Sequence, residues 1–134
     1  MACIFCQIVE KKADATIIYE DDVFMALLDI MPRNPGHALV IPKTHRENIF
    51  EIREDEIGHL YKIVKKIANA VKKAVDAEGV SIVQSNKVSQ GFAHFHTHVI
   101  PRYFDDGMPI VWEGDEKVDK KELDRIAERI RRYL

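Results

Sequence analysis

Long hydrophobic runs are missing from this chain of 134 residues. No stretch approaches the roughly 20 consecutive apolar residues that a membrane-spanning helix needs. No signal peptide is expected, because Glu10, Lys11 and Lys12 interrupt the one early apolar stretch. An excess of one charge sign is missing too. Twenty Lys and Arg stand against 22 Asp and Glu, a net charge of −2. That removes the electrostatic argument for nucleic acid or an anionic membrane as partner. Repeats, low-complexity segments and linkers are absent, as are a phosphate-cradling glycine loop and a Rossmann turn. Cysteine is scarce. The two that exist, Cys3 and Cys6, form a C-x-x-C pair. Such a pair can be a redox couple, half a metal site or chance. Redox use calls for a preceding strand, and none precedes Cys3, so the metal reading is the stronger one. At 46% hydrophobic and 31% charged, the chain reads as a single soluble domain spanning 1–134, placed in the cytoplasm.

Histidine is what the chain has in an unusual place. Three of its six histidines occur in Ala93-His94-Phe95-His96-Thr97-His98-Val99-Ile100-Pro101-Arg102. In a strand, residues two apart share a face. His94, His96 and His98 then form one row, spaced by about 7 Å. Phe95, Thr97 and Val99 face the other way, toward a core. With a free pKa of about 6.5, imidazole serves as nucleophile, proton carrier or metal ligand near neutral pH. The row by itself fits either a metal site or covalent catalysis by one histidine.

The rest of the pattern predicts an α+β domain: an antiparallel five-stranded meander with helices on one side. Residues Cys3–Val9 suit a short helix. Strands are expected at Thr16–Tyr19, Val23–Leu28, His37–Ile41 and Val80–Gln84, with the histidine row as the fifth. A long helix is expected over Asp55–Ala77, with Ile57, Leu60, Tyr61, Val64, Ile67, Ala68, Val71, Ala74 and Val75 as its apolar stripe and Gly79 as its stop. Asp119 caps a last helix over about 119–133, with Leu123, Ile126, Ala127 and Ile130 inward.

His94-Phe95-His96-Thr97-His98-Val99-Ile100 resembles the H-φ-H-φ-H-φ-φ signature of the histidine triad (HIT) family, with Thr97 at a usually apolar position. Tyr19–Ile30 resembles that family's N-terminal hairpin. Pro35-Gly36-His37-Ala38-Leu39-Val40-Ile41-Pro42-Lys43-Thr44-His45 resembles its G-H-x-L-V-I-P-K-x-H segment. The likeness spans residues 2–104 and is strongest to the Hint-like branch.

The resemblance implies a nucleotide hydrolase acting on the α-phosphate of a purine nucleotide. Its activity would be that of an adenosine 5'-monophosphoramidase, with AMP as product. A dinucleoside polyphosphate hydrolase and a nucleotide-binding module with little turnover are the alternatives. His96 would be the nucleophile and His98 a donor to a phosphate oxygen. Gln90 would help spread transition-state charge, and His37 would stand near the site. Asp29 would accept from the ribose hydroxyls, and Phe5, Leu28 and Ile30 would wall the base pocket. Asn86 would lie on the phosphate side. Gly91 stands where the family usually has Ser or Thr. Relatives carrying this C-x-x-C imply a structural zinc ion on Cys3, Cys6, His45 and His94. The family also implies a homodimer, with Trp112 near the neighbour's site.

Overall fold

Asp21 starts the sheet. Its Oδ1 accepts from the backbone N–H groups of Val23 and Phe24, each at 2.8 Å, and so folds Glu20 back toward Phe24. The resulting hairpin joins β1 (Ile17–Glu20) to β2 (Phe24–Leu28), and β3 (Ala38–Pro42) pairs along the other side of β2. A computed structural model describes residues 3–109, 114 and 116–134. Its remaining elements are α1 (Ile4–Val9), α2 (Glu54–Ala74), β4 (Gly79–Val83), β5 (Thr97–Arg102) and α3 (Lys120–Arg131). The five strands form one antiparallel sheet, as expected, in the order β1-β2-β3-β5-β4. The order departs from a plain meander. After β3, helix α2 carries the chain to the far edge, and β5 then returns between β4 and β3.

The helices cover both faces of the sheet, not one. Phe24, Ala26, Ala38 and Val40 pack with Leu60, Ile63, Val64, Ile67 and Val71 of α2. Met25, Leu27, Leu39 and Ile41 pack on the opposite side with Phe5 and Ile8 of α1. Central strands buried on both faces read as unbroken apolar runs, which is why β2 and β3 lack polar alternation.

Several boundaries and faces differ from the sequence pattern. Helix α2 ends at Ala74, and Gly79 is not its stop but the first residue of β4. The stop is Asp76 at φ +52. Its N–H donates to Lys73 O, and that of Ala77 donates to Lys72 O. That is a Schellman closure, with aspartate at the left-handed position usually taken by glycine. Tyr61 of the expected stripe is exposed, whereas Ile63 is buried. Helix α3 buries none of its side chains, so Leu123, Ile126, Ala127 and Ile130 do not point inward. Asp119 does cap it, accepting from Glu122 N at 2.9 Å. Trp112 lies outside the described residues.

The histidine row is not a strand along its whole length. β5 starts at Thr97, so only His98 of the three sits on the ladder. The alternation nevertheless extends upstream. Phe95 and Val99 join the α2 core, while His94 and His96 lie against Phe5 on the α1 face. Thr97 shares the Phe95 side, and its Oγ1 is buried there with no hydrogen-bond partner. A buried hydroxyl without a partner costs about 1–3 kcal/mol. Thr97→Val keeps the shape and removes the hydroxyl. It is expected to stabilise the fold by about 1 kcal/mol and to raise the melting temperature by roughly 3–6 °C. A thermal unfolding scan checks this, and an equal or lower melting temperature would contradict the packing described.

Candidate active site

Two clusters meet at the histidine row, and the backbone decides what each imidazole does. His94 is fully buried. Its Nε2 is 2.9 Å from Pro42 O. A carbonyl only accepts, so Nε2 carries the proton and Nδ1 presents a lone pair. That lone pair faces Cys3 Sγ at 3.3 Å and Cys6 Sγ at 3.6 Å. His45 Nδ1 is 3.3 Å from Cys6 Sγ. A tetrahedral ion bonded at about 2.3 Å to sulfur and 2.0 Å to nitrogen separates such ligands by about 3.5 Å. Donor set, spacing and tautomer therefore all fit a metal. Cys3 caps α1 by accepting from Cys6 N, which places both thiols on the same first turn. Burial, with Cys3 alongside, pushes the Cys6 thiol up to about 11. Metal binding would displace that proton.

His96 and His98 turn away from the cysteines into a cavity of about 400 Å³. His96 Nδ1 is 2.7 Å from His94 O, so its proton sits on Nδ1 and the Nε2 lone pair is free. His98 lies beside it, with ring centroids 5.0 Å apart. Burial pushes the His98 imidazole down to about 4 and lowers that of His37 as well. Both rings are therefore neutral near pH 7. Phe5, Leu28, Asp29 and Ile30 line the same cavity, together with Ile4, Met31, Leu39 and Asp14. It is a mainly apolar slot lined also by two imidazoles and two carboxylates. Asp29 is held by an Asx turn, its Oδ1 accepting from Met31 N at 2.9 Å.

Not every expected residue reaches the cavity. His37 lies behind it, its Nε2 at 2.9 Å from His98 Nδ1. Gln90, Asn86 and Gly91 are not among the residues that line it. The Gln90 amide ties its own loop, accepting from Lys87 N and donating to Glu47 O. Asn86 accepts from Ile49 N and pairs with Gln84. Gly91 has φ +77, a conformation in which the family's usual Ser or Thr is strained. Phe92, like Ile4, Asp14, Met31 and Leu39, is a cavity residue that the sequence reading missed. It lies 5.4 Å from the Phe5 ring and 6.3 Å from that of His96. The signal was present: Phe92 has the same parity as the three histidines. Of the three histidines, His94 gathers with the cysteines and His45, and His98 with Asp29 and His37.

The HIT domain matches residues 10–105, and the chain belongs to that family. An uncharacterized HIT-like protein of Methanocaldococcus jannaschii is 41% identical over 123 residues, covering 90% of this chain and 95% of that one. An adenosine 5'-monophosphoramidase of Schizosaccharomyces pombe is 32% identical over 133 residues, covering 97% and 96%. Among solved structures, a HIT family member from Bacillus subtilis superposes with a TM-score of 0.90 at 35% identity, covering 100% and 98%. A zinc-bound histidine triad protein from Mycobacterium smegmatis superposes with a TM-score of 0.76 at 32% identity, covering 96% and 92%. Among the described residues no helix is long and apolar enough to cross a membrane.

Protein prepared without chelator is expected to carry about one tetrahedral metal ion per chain, and Cys6→Ser to carry well under half of that. Elemental analysis of both proteins checks this. Equal metal content in the two would contradict the assignment.

Proposed function

We propose that this protein hydrolyses a purine nucleoside 5'-phosphoramidate, or a closely related nucleotide, through a covalent nucleotidyl-His96 intermediate. The observation that carries this reading is the His96 Nδ1–H donated to His94 O, which leaves an Nε2 lone pair facing the cavity. A neutral imidazole attacks phosphorus well, and the P–N bond it forms is hydrolysed readily. In the first step Nε2 bonds to the α-phosphorus as the bond to the leaving amine breaks and the amine takes up a proton. In the second step water breaks the new P–N bond, releasing the nucleoside monophosphate and returning His96 to its starting state. His98 donates to a phosphate oxygen. Asp29 Oδ2, 3.7 Å from His37 Nε2, accepts from the ribose hydroxyls, and a carboxylate can accept more than one such bond. The flat apolar slot from Phe5 to Ile30 suits a purine. The named monophosphoramidase relative supports this substrate class over dinucleoside polyphosphates.

The metal of the cysteine cluster is assigned as zinc. Cys₂His₂ ligation with no open position is a structural shell, and the zinc-bound relative supports the choice. It would tie α1 to His45 beyond β3 and to His94 before β5, and take no part in the chemistry. A homodimer is also proposed. Among the described residues β4 is an edge strand with an open ladder side, and Ile82 on it is exposed. Pairing through β4 would close that edge.

His96→Ala is expected to lower kcat by about 10³-fold or more, with nucleotide affinity retained through Asp29 and the slot. His98→Ala is expected to cost less, about 2–4 kcal/mol of transition-state binding. Steady-state kinetics on adenosine 5'-phosphoramidate, with AMP binding measured by calorimetry, checks both. Near-normal turnover by His96→Ala would overturn the mechanism. The dimer is checked by light scattering at micromolar concentration, where a monomer mass would refute it.

A further inference from the structure

His37 has no role in the chemistry described so far, yet it is buried against His98. One of its two ring nitrogens has a partner whose role is fixed, and the other faces His98 Nδ1 at 2.9 Å and Asp29 Oδ2 at 3.7 Å. The backbone N–H of Arg33 lies 3.1 Å from His37 Nδ1, and an amide N–H can only donate. Nδ1 of His37 is therefore an acceptor, and the single proton of the neutral ring sits on Nε2. That Nε2 is 2.9 Å from His98 Nδ1. Two N–H groups do not face each other at that distance, so His98 Nδ1 accepts. The remaining nitrogen of His98, Nε2, then carries its proton.

We propose that His37 is a positioning residue that fixes the His98 proton on Nε2, the nitrogen left free for the cavity, and that the Arg33 backbone N–H sets His37 in turn. The proposal rests on the reading of His98 as a donor to substrate, and it explains how His98 is kept in the one tautomer able to donate. The run of bonds has one direction throughout: Arg33 N–H to His37, His37 to His98, His98 to the substrate. A second proton on either ring would point one N–H at another. The arrangement thus excludes an imidazolium at both rings, in keeping with their burial.

The start of this relay is anchored firmly. Asn34 Nδ2 donates to Pro101 O at 2.8 Å and to Asp106 Oδ2 at 3.1 Å, pinning the loop to β5 and to the turn after it. His37 N donates to Asn34 O, and Asp29 N donates to His37 O. Gly36 turns the loop at φ +98, and a Cβ there would meet Val75 Cγ1 at 3.0 Å. The same loop therefore carries Asp29 and sets the His98 proton. The relay also settles the chemistry of a second cluster. Asp29, His37 and His98 gather three ligand-type atoms within 4.8 Å of one another. With its proton on Nε2, however, His37 has no lone pair to offer there.

Histidine ring ¹⁵N labelling with long-range ¹H–¹⁵N correlation reads each tautomer directly. In the wild-type protein at neutral pH, His37 and His98 are both expected to show bare Nδ1 and protonated Nε2. His37→Gln places an amide N–H near the position of Nε2. It is expected to preserve the His98 tautomer and keep kcat within about threefold of wild type. His37→Phe keeps a ring but removes the donor. It is expected to move the His98 proton toward Nδ1 and lower kcat about tenfold or more, with KM little changed. A wild-type His98 protonated on Nδ1, or on both nitrogens, would overturn the proposal. So would a His98 tautomer unmoved in His37→Phe. The spectra report on His98 whether or not the protein hydrolyses a phosphoramidate, so failure of the relay is distinguishable from failure of the functional reading.

Discussion

Four imidazoles pack side by side at this site, and a neutral imidazole has one N–H and one lone pair. Everything at this site follows from which nitrogen gets which. His94 gives its proton to Pro42 O, so its lone pair faces the cysteines. His96 gives its proton to His94 O, so its lone pair faces the cavity. His37 Nδ1 accepts a hydrogen bond from Arg33 N–H, so its own N–H points at His98. His94 and His96 are thereby oriented by backbone carbonyls, whereas the orientation of His98 passes through the side chain of His37.

Helix α1 connects these jobs mechanically. It is only six residues long, too short to hold itself together in water. Its first turn bears the thiols of Cys3 and Cys6. Its one large buried aromatic, Phe5, touches His94, His96 and Phe92. Phe5 also lines the cavity. A metal on the cysteine cluster would thus fix the wall of the nucleotide slot without touching the phosphate. Release of the metal would loosen that wall.

The sequence made the family, the sheet and the row legible because each rests on local pattern. Alternation at 94–98 survived even where the strand did not, since Phe95 and Val99 still had to reach the α2 core. The cluster of Cys3, Cys6, His45 and His94 was legible through the family resemblance. What could not be read was long-range. The position of β4 outside β5 depends on how α2 crosses the sheet. The stop at Asp76 depends on a backbone conformation that glycine at 79 seemed better suited to supply. Gln90 and Asn86 have the donors and acceptors of a phosphate site, but these are spent within their loop and on the backbone of Glu47 and Ile49. The partners that set the tautomers were invisible for a simpler reason. Pro42 O, His94 O and Arg33 N–H are backbone atoms, and a sequence names side chains only.

The central claim is that catalysis passes through a covalent bond from His96 to phosphorus, and stereochemistry tests it most directly. A substrate made chiral at the α-phosphorus by isotopic oxygen is hydrolysed, and the configuration of the released monophosphate is determined. Two successive in-line displacements, the first by His96 and the second by water, predict overall retention. Inversion would mean a single direct attack by water and would contradict the account.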